Sequence, residues 1–247
     1  MRQAVCALIC VVAIAPIVAA ELSTLASGAA QGPLEALEKT YREHGMTVQL
    51  QFDTSPNISK RLASGEVPDV LIALAPTVDQ LIKEGKAVAS TRAAIGKMGI
   101  GVGTGRGSRR PDISTLDALR TSLQQADSVL LTQGAAGVYL EKVLLDLGVM
   151  DQISGKVTRM PTGESLTQRL GNGRGNQIGF TMISELKLGA RYGASYVGPI
   201  PAGIQMLSSY EAVVMSASPA RDEARGFVRF ITTPAARKLF AADGWQF

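Results

Sequence analysis

Short apolar runs alternate with amphipathic segments along most of the chain. In its first third, the alternation covers six segments, at residues 22–26, 34–43, 47–52, 55–64, 70–73 and 77–84. The first, third and fifth segments have the patterns of strands, and the other three have the spacing of helices that bury one face. Because strands and helices alternate, this part of the chain predicts an α/β structure with a parallel sheet.

The same alternation continues in the middle of the chain. It covers six further segments, at residues 99–103, 114–125, 129–132, 138–147, 164–170 and 177–182. After Pro199-Ile200-Pro201 the pattern changes to one strand, 210–215, followed by two helices, 219–232 and 234–242. Two successive α/β units in one chain predict two lobes.

Four predicted helices begin with small or turn-forming residues. These starts are Ser27-Gly28-Ala29, Ser55-Pro56-Asn57, Ala135-Ala136-Gly137 and Thr162-Gly163-Glu164. A helix start presents backbone N–H groups without partners inside the helix, and its dipole favours an anion. Small residues let a ligand approach those groups closely. The four starts therefore predict an anion site, with ordinary helix caps as the alternative interpretation.

The first 20 residues have the pattern of a secretory signal. Arg2 precedes an apolar run that ends in Val18-Ala19-Ala20, and the run is too short to predict a membrane span. Both cysteines, Cys6 and Cys10, lie in this segment, and Cys10 is not placed for lipidation. The pattern predicts an exported protein that begins near residue 21 and has neither a disulfide nor a thiol nucleophile.

Charge and motifs argue against a nucleic-acid or nucleotide partner. The formal net charge is +4, and both signs are mixed along the chain. The one basic run, RGSRR at 106–110, has no interleaved aromatic residues and is typical of a solvated loop. The segment GVGTGRG at 101–107 has Arg106 where a dinucleotide loop needs its last glycine.

Few side chains are suited to acid–base chemistry. The single histidine, His44, lies in a polar helix end, and Asp69 in VPDVLI is expected to hold a loop. Asp53, Glu164 and Tyr139 remain as acid–base candidates. The chain has no His/Cys cluster with metal-ligand spacing and no hydrolase triad, so neither a cofactor nor a metal is predicted.

Five segments carry a resemblance to a known family. They are residues 65–88 (GEVPDVLIALAPTVDQLIKEGKAV), 99–119 (GIGVGTGRGSRRPDISTLDAL), 135–148 (AAGVYLEKVLLDLG), 178–186 (IGFTMISEL) and 197–205 (VGPIPAGIQ). In their order and spacing the chain resembles the molybdate-binding branch of the periplasmic solute-binding proteins of ABC transporters. The resemblance implies the two-lobed type II periplasmic-binding-protein fold, with two crossover strands as a hinge and the ligand in the interlobe cleft.

The resemblance also implies an organisation and a partner. Residues 1–20 are the signal peptide, lobe one consists of residues 21–97 and 207–247, and lobe two consists of residues 98–206. Proteins of this kind hand a small anionic solute to an inner-membrane permease that an ATPase drives. A periplasmic monomer is therefore expected.

The resemblance implies which positions face the ligand. Two serine positions of the molybdate-binding proteins correspond to Ala29 and Ser55, two backbone amide positions to Ala136 and Glu164, and a tyrosine position to Met182. Together with the helix starts, this predicts the following ligand-binding residues: Ser27, Gly28, Ala29, Ser55, Pro56, Asn57, Ala136, Gly137, Glu164 and Met182.

The identity of the anion stays open between two classes. Ala29 and Met182 lack the hydroxyl groups that would hold a desolvated oxyanion such as molybdate, so an organic carboxylate is favoured. An arginine would pair with a carboxylate through two hydrogen bonds, and the candidates are Arg106, Arg109, Arg110 and Arg159. The alternative function is isomerisation of an unsaturated tricarboxylic acid, as in aconitate isomerases similar to this branch, which would require a positioned general base.

Overall fold

The structure is a computed structural model that describes residues 21–247. Its nine strands are β1 (Leu22–Ser27), β2 (Val48–Asp53), β3 (Val70–Leu74), β4 (Ala93–Thr104), β5 (Ser128–Thr132), β6 (Val157–Met160), β7 (Gln177–Met182), β8 (Ser195–Pro199) and β9 (Leu207–Val214). The predicted signal segment lies outside the described residues. Within 21–247, no helix combines the length and the apolar character needed to cross a membrane.

Ten α-helices connect the strands. They are α1 (Gln31–Glu43), α2 (Ser55–Ala63), α3 (Ala75–Lys83), α4 (Leu116–Gln125), α5 (Ala135–Asp146), α6 (Met150–Ile153), α7 (Gly163–Asn172), α8 (Ile183–Leu188), α9 (Arg221–Ile231) and α10 (Pro234–Ala242). Proline stands in the first turn of α2, α3 and α10, where its missing N–H costs no helical hydrogen bond.

The strands form one curled sheet in the order β2-β1-β3-β9-β4-β7-β5-β6, with β8 also paired to β4. Strands β1, β2 and β3 are parallel, as are β5, β6 and β7, which confirms the predicted parallel units. Strands β9 and β4 run antiparallel to their neighbours between the two units. The structure is therefore the predicted α/β fold of the two-lobed type II periplasmic binding proteins.

Strand β4 joins the two halves of the sheet. Its first part, Ala93 to Gly99, pairs with β9, and its last part, Ile100 to Thr104, pairs with β7. The sequence predicted only the last part, because Gly96 and a register shift interrupt the apolar pattern of the first part. We propose the lobe boundaries that the sequence predicts, since the pairing partner of β4 changes close to residue 98.

A buried carboxylate attaches the C-terminal segment to β1 and β3. Asp69 accepts hydrogen bonds from the backbone N–H and hydroxyl of Ser23, both 2.8 Å long, and from the Ser218 hydroxyl at 2.6 Å. Burial by itself raises the pKa of Asp69, but the hydrogen bonds from Ser218 and Ser23 outweigh burial and lower it. Asp69 thus holds a loop, as the sequence predicted, and fixes the chain returning after β9.

Four short elements were not predicted from the sequence: β6, α6, α8 and β8. Strands β6 and β8 have partly exposed side chains rather than a continuous apolar run. Helices α6 and α8 have four and six residues, too few to show a helical period. Helix α8, which the sequence did not predict, contributes Glu185 to the cleft.

Candidate functional site

A small cavity lies where the ends of β1, β2, β5 and β7 meet the starts of α2, α5 and α7. This inner chamber has a volume of about 20 Å³. An outer chamber of about 50 Å³ adjoins it and shares the wall residues Asp53, Thr54, Gly163 and Glu185. A volume of ~15 Å³ holds one ordered water, so an organic ligand would need the lobes to part or side chains to move.

Several predicted ligand-binding residues line these chambers. Ser27, Ser55, Ala136 and Met182 belong to the wall of the inner chamber. Gly28 and Glu164 belong to the wall of the outer chamber. The four helix starts therefore meet at one place. Two of them follow the neighbouring strands β1 and β2, and two follow β5 and β6, so each pair lies at the carboxyl ends of parallel strands. The two pairs belong to units of opposite strand direction, and the whole fold brings them together.

Other predicted residues have a different place in the structure. The side chain of Asn57 donates to Asp53 Oδ1 at 2.8 Å, and Pro56 occupies the first turn of α2 beside it. Ala29 is buried, and its carbonyl accepts a 2.7 Å hydrogen bond from the Ser184 hydroxyl of α8. Gly137 packs directly on the backbone of β5. Of the residues described, neither chamber wall includes these four positions.

The carboxyl group of Glu185 lies against the glycines at two helix starts. A Cβ atom at Gly28 would lie 2.7 Å from Glu185 Oε1, and one at Gly163 would overlap the same carboxyl group. In proteins, Cβ atoms do not lie this close to other heavy atoms, so either the carboxyl group or the backbone would have to shift. The group close to the Gly28 backbone is a side chain of the protein itself, and the close approach of a ligand there stays a prediction.

Glu185 is held in place by the start of its own helix, α8. Its Oε2 accepts hydrogen bonds from the Thr181 hydroxyl and, at 3.2 Å, from the Met182 N–H. This is the position from which a glutamate reaches back to cap a helix, although no serine or threonine precedes it at the cap. The sequence signal was therefore incomplete: an acidic residue three positions after the apolar strand 177–182.

The surroundings of Glu185 disfavour its charged form. The side chain keeps an exposed edge but lies deep between the lobes. Burial raises the pKa of Glu185, and the hydrogen bonds from Thr181 and Met182 oppose that rise only in part. Across the inner chamber, burial and the nearby Glu185 raise the pKa of Tyr210, while a hydrogen bond with Ser27 acts in the opposite direction.

The four predicted arginines do not reach the cleft. Arg106, Arg109, Arg110 and Arg159 are all exposed, and none belongs to the described walls of the two chambers. Arg159 forms an ion pair with Glu141 on α5 instead. Arg110 donates to the Val197 carbonyl at 2.7 Å, so in this arrangement the prediction that one of the four binds the ligand has no support.

A different arginine lies at the outer chamber. Arg191 pairs with Glu35 of α1 at 2.9 Å and with Glu164 at 3.7 Å, so it bridges the two halves of the molecule at the rim. No arginine, lysine or histidine belongs to the described wall of the inner chamber. An anion held there would rely on hydroxyl groups and helix N–H groups.

The acid–base candidates from the sequence differ in their positions relative to the cleft. His44 is exposed at the end of α1, and the Tyr139 hydroxyl donates to the Ile204 carbonyl at 3.1 Å, outside the cleft. Asp53 lines both chambers, but its Oδ1 accepts from the Thr54 N–H at 2.8 Å and from Asn57. Glu185, which the sequence analysis missed, is the carboxyl group with a raised pKa in the cleft.

Comparison with known proteins agrees with this architecture. Residues 22–246 match the family model described as "Bacterial extracellular solute-binding protein". A curated aconitate isomerase from a Pseudomonas species is 29% identical over 240 residues, which cover 93% of this chain and 90% of the relative.

Two examples represent the solved structures that share the fold. The periplasmic molybdate-binding protein of Azotobacter vinelandii has a TM-score of 0.76 at 17% identity, with 92% of this chain and 99% of that chain covered. The PEB3 protein of Campylobacter jejuni with bound L-phospholactate has a TM-score of 0.67 at 14% identity, with 92% and 100% covered. Since the family model spans nearly the whole described chain, this protein belongs to the bacterial extracellular solute-binding proteins.

Proposed function

We propose that this chain is the periplasmic solute-binding protein of an ABC importer and that its solute is a small organic carboxylate. The observation behind the choice of a carboxylate is the wall of the inner chamber, which among residues 21–247 has hydroxyl groups, helix starts and Glu185 but no cationic side chain. A protonated carboxyl group can donate a hydrogen bond to a ligand carboxylate, whereas an ionised one would repel it.

The chamber is poorly equipped for a bare oxyanion. Met182 brings a thioether where the molybdate-binding proteins have a tyrosine hydroxyl, and Ala29 is covered by α8. A small dianion stripped of water needs a donor for nearly every oxygen. An organic carboxylate needs fewer donors and fills apolar space, which the Met182 side chain supplies.

The remaining parts of the proposal follow from the family. A solute-binding protein of this kind delivers its ligand to an inner-membrane permease, which is the partner we propose. The signal pattern of residues 1–20 supports export to the periplasm. We propose that the protein works as a monomer.

A ligand screen tests the proposed function. Thermal unfolding of the purified mature protein would be followed with molybdate, tungstate, sulfate and phosphate, and with a panel of di- and tricarboxylates. A ligand at a hundred times its Kd adds about 2.7 kcal/mol of stability, which is roughly 5 to 10 °C in Tm for a chain of this size. We expect that shift with a carboxylate, and a shift with molybdate or tungstate alone would overturn the choice of solute.

The second candidate function is isomerisation of an unsaturated tricarboxylic acid. It is favoured by the aconitate isomerase relative and by Glu185, a carboxyl group in the cleft that can exchange a proton. Moving the double bond requires a base that takes a proton from an allylic carbon. The electron pair of that C–H bond forms the new double bond, and the proton returns to the carbon at the other end of the old one.

Proton NMR distinguishes a carrier from an isomerase. The protein would be incubated with cis-aconitate, and separately with trans-aconitate, in D₂O. An isomerase would convert each isomer toward the same mixture and introduce deuterium at the allylic carbon, at a rate proportional to protein concentration. A carrier would broaden or shift the ligand signals without any conversion, and this is the result we expect from the proposed function.

A further inference from the structure

The Glu185 carboxyl group lies at the boundary of the two chambers. It forms part of both walls, between the start of α7 at Gly163 and the turn at Gly28. A ligand that occupies the cleft therefore contacts this group or displaces it. Neither glycine has a side chain that would shield the carboxyl group from the ligand.

The two oxygens of Glu185 have different surroundings. Oε2 accepts from the Thr181 hydroxyl and from the Met182 N–H, so its lone pairs are engaged. Among residues 21–247, Thr181 and Met182 are the hydrogen-bond partners of this carboxyl group, and Oε1, which lies between Gly28 and Gly163, accepts from neither. A proton on this carboxyl group would consequently be carried by Oε1, facing the cleft.

The charged groups around Glu185 do not neutralise an ionised carboxylate there. From β2 it faces Asp53, a carboxylate whose Oδ2 lies 3.6 Å from Arg61, and from β9 it faces the Tyr210 hydroxyl. On its own helix, Lys187 donates to the Ala242 carbonyl at 2.7 Å, away from the cleft.

The elements at the outer chamber add one further carboxylate and one guanidinium group to the surroundings of Glu185. Glu164 of α7 and Arg191 line the outer chamber and interact with each other, and Arg191 is paired with Glu35 as well. The cation nearest to the cleft is therefore already engaged with two carboxylates. Bringing a further anion against an ionised Glu185 would place like charges together in a water-poor site.

We propose that Glu185 carries a proton in the cleft and donates it as a hydrogen bond to a ligand carboxylate, so that the protein takes up an anion together with a proton. This inference rests on the proposed carboxylate-binding function. It makes Glu185 the residue that selects a carboxylate ligand. It holds for a carrier and for an isomerase alike.

The direction of the pH dependence follows from linkage. An anion against the carboxyl group stabilises its protonated form, so the pKa of Glu185 is higher in the complex than in the free protein. Between those two values, binding takes up a proton and the affinity falls by up to tenfold for each unit of rising pH. Below the free-protein value the affinity is greatest and constant.

The experiment is titration calorimetry of the purified protein with trans-aconitate, and with tricarballylate and succinate in parallel, from about pH 5.5 to 8.5. Each titration is repeated in two buffers of different ionisation enthalpy, which gives the number of protons taken up. For the wild type we expect net proton uptake and weakening affinity as the pH rises. The matched variant is Glu185→Gln, whose amide oxygen can take the place of Oε2 and whose NH₂ group can donate from the place of Oε1.

Glu185→Gln is expected to bind with the acid-pH affinity of the wild type throughout the range. It takes up no protons beyond those of the ligand's own carboxyl groups, which titrate equally with both proteins. Glu141→Gln, on the surface of α5 and paired with Arg159, is the control and should titrate as the wild type does. Unfolding curves of the variants verify folding, and the wild-type proton count decides the question if Glu185→Gln does not fold.

The outcomes test the inference about Glu185 separately from the proposed carboxylate-binding function on which it rests. Carboxylate binding by the wild type with neither proton uptake nor a change of affinity anywhere from about pH 5.5 to 8.5 would overturn the inference and leave the proposed function intact. Equal pH profiles for the wild type and Glu185→Gln would overturn it in the same way. If no di- or tricarboxylate binds at any pH, the proposed function fails, and the inference fails with it.

Discussion

Replacing Gly137 by alanine is expected to lower the free energy of unfolding by about 3 kcal/mol, although this glycine lies at a predicted ligand site. A Cβ atom at Gly137 would lie 2.7 Å from the backbone C and N of Thr132 and would overlap its carbonyl oxygen. Because backbone atoms cannot rotate away, α5 would have to move off β5. Urea unfolding of the ligand-free protein measures the change.

Gly134→Ala is the matched control for this prediction. Gly134 precedes α5 in the same turn, and a Cβ there would lie 3.5 Å from Thr54 Cγ2, an ordinary van der Waals contact. Its backbone is in the extended region, which alanine adopts without strain. We expect a change of less than about 0.5 kcal/mol. If Gly137→Ala kept wild-type stability but lost ligand binding, Gly137 would be a ligand contact, as the sequence alone suggested.

Replacing Gly163 by alanine is expected to weaken carboxylate binding by roughly 10- to 100-fold, equivalent to about 1–3 kcal/mol. The new methyl group would overlap the Glu185 carboxyl group. To avoid the overlap, that group would have to give up its hydrogen bonds with the Thr181 hydroxyl and the Met182 N–H. Glu185 would then leave its position, or the cleft would fail to close. Calorimetric titration with the best carboxylate of the ligand screen measures the loss.

The stability of Gly163→Ala should fall less than that of Gly137→Ala, because the overlap involves the end of a flexible side chain rather than backbone. Gly155→Ala is the control in the same half of the molecule, since a Cβ at Gly155 would meet nothing within 4 Å. It should bind as the wild type does. Wild-type affinity in Gly163→Ala would contradict the position of Glu185 described above.

The site also shows how a family resemblance can mislead at single residues. Ala29 corresponds to a ligand-binding serine of the molybdate-binding proteins, yet here it is buried and its carbonyl accepts from Ser184. Gly28, one residue earlier, lines the outer chamber instead. The correspondence in sequence located the helix start correctly. The residue that it assigned to the ligand, Ala29, is not the one that lines the chamber.

The local pattern of the chain determined the elements that depend on neighbours in sequence. The strand 177–182 and the helix 234–242 are found with the predicted bounds, because a buried strand and a proline-started helix of nine residues each carry a complete local signal. The helix starts at Ser55 and Ala135 were predictable for the same reason. Their meeting was not, because they follow strands of two units with opposite direction, and a parallel sheet aligns only the ends within one unit.

Only the tertiary structure decided which groups meet in the cleft. Glu185 lies in the first turn of a helix too short to show a period, and Arg191 lies in the short 3-10 helix that follows. Both become site residues because distant segments fold against them. The tight fit of Gly137 on Thr132 and of Gly163 on Glu185 is likewise a property of atoms brought together by folding. Hydrophobic period and helix caps are local properties of a sequence, whereas the space beside a Cα and the solvation of a carboxyl group depend on the whole fold.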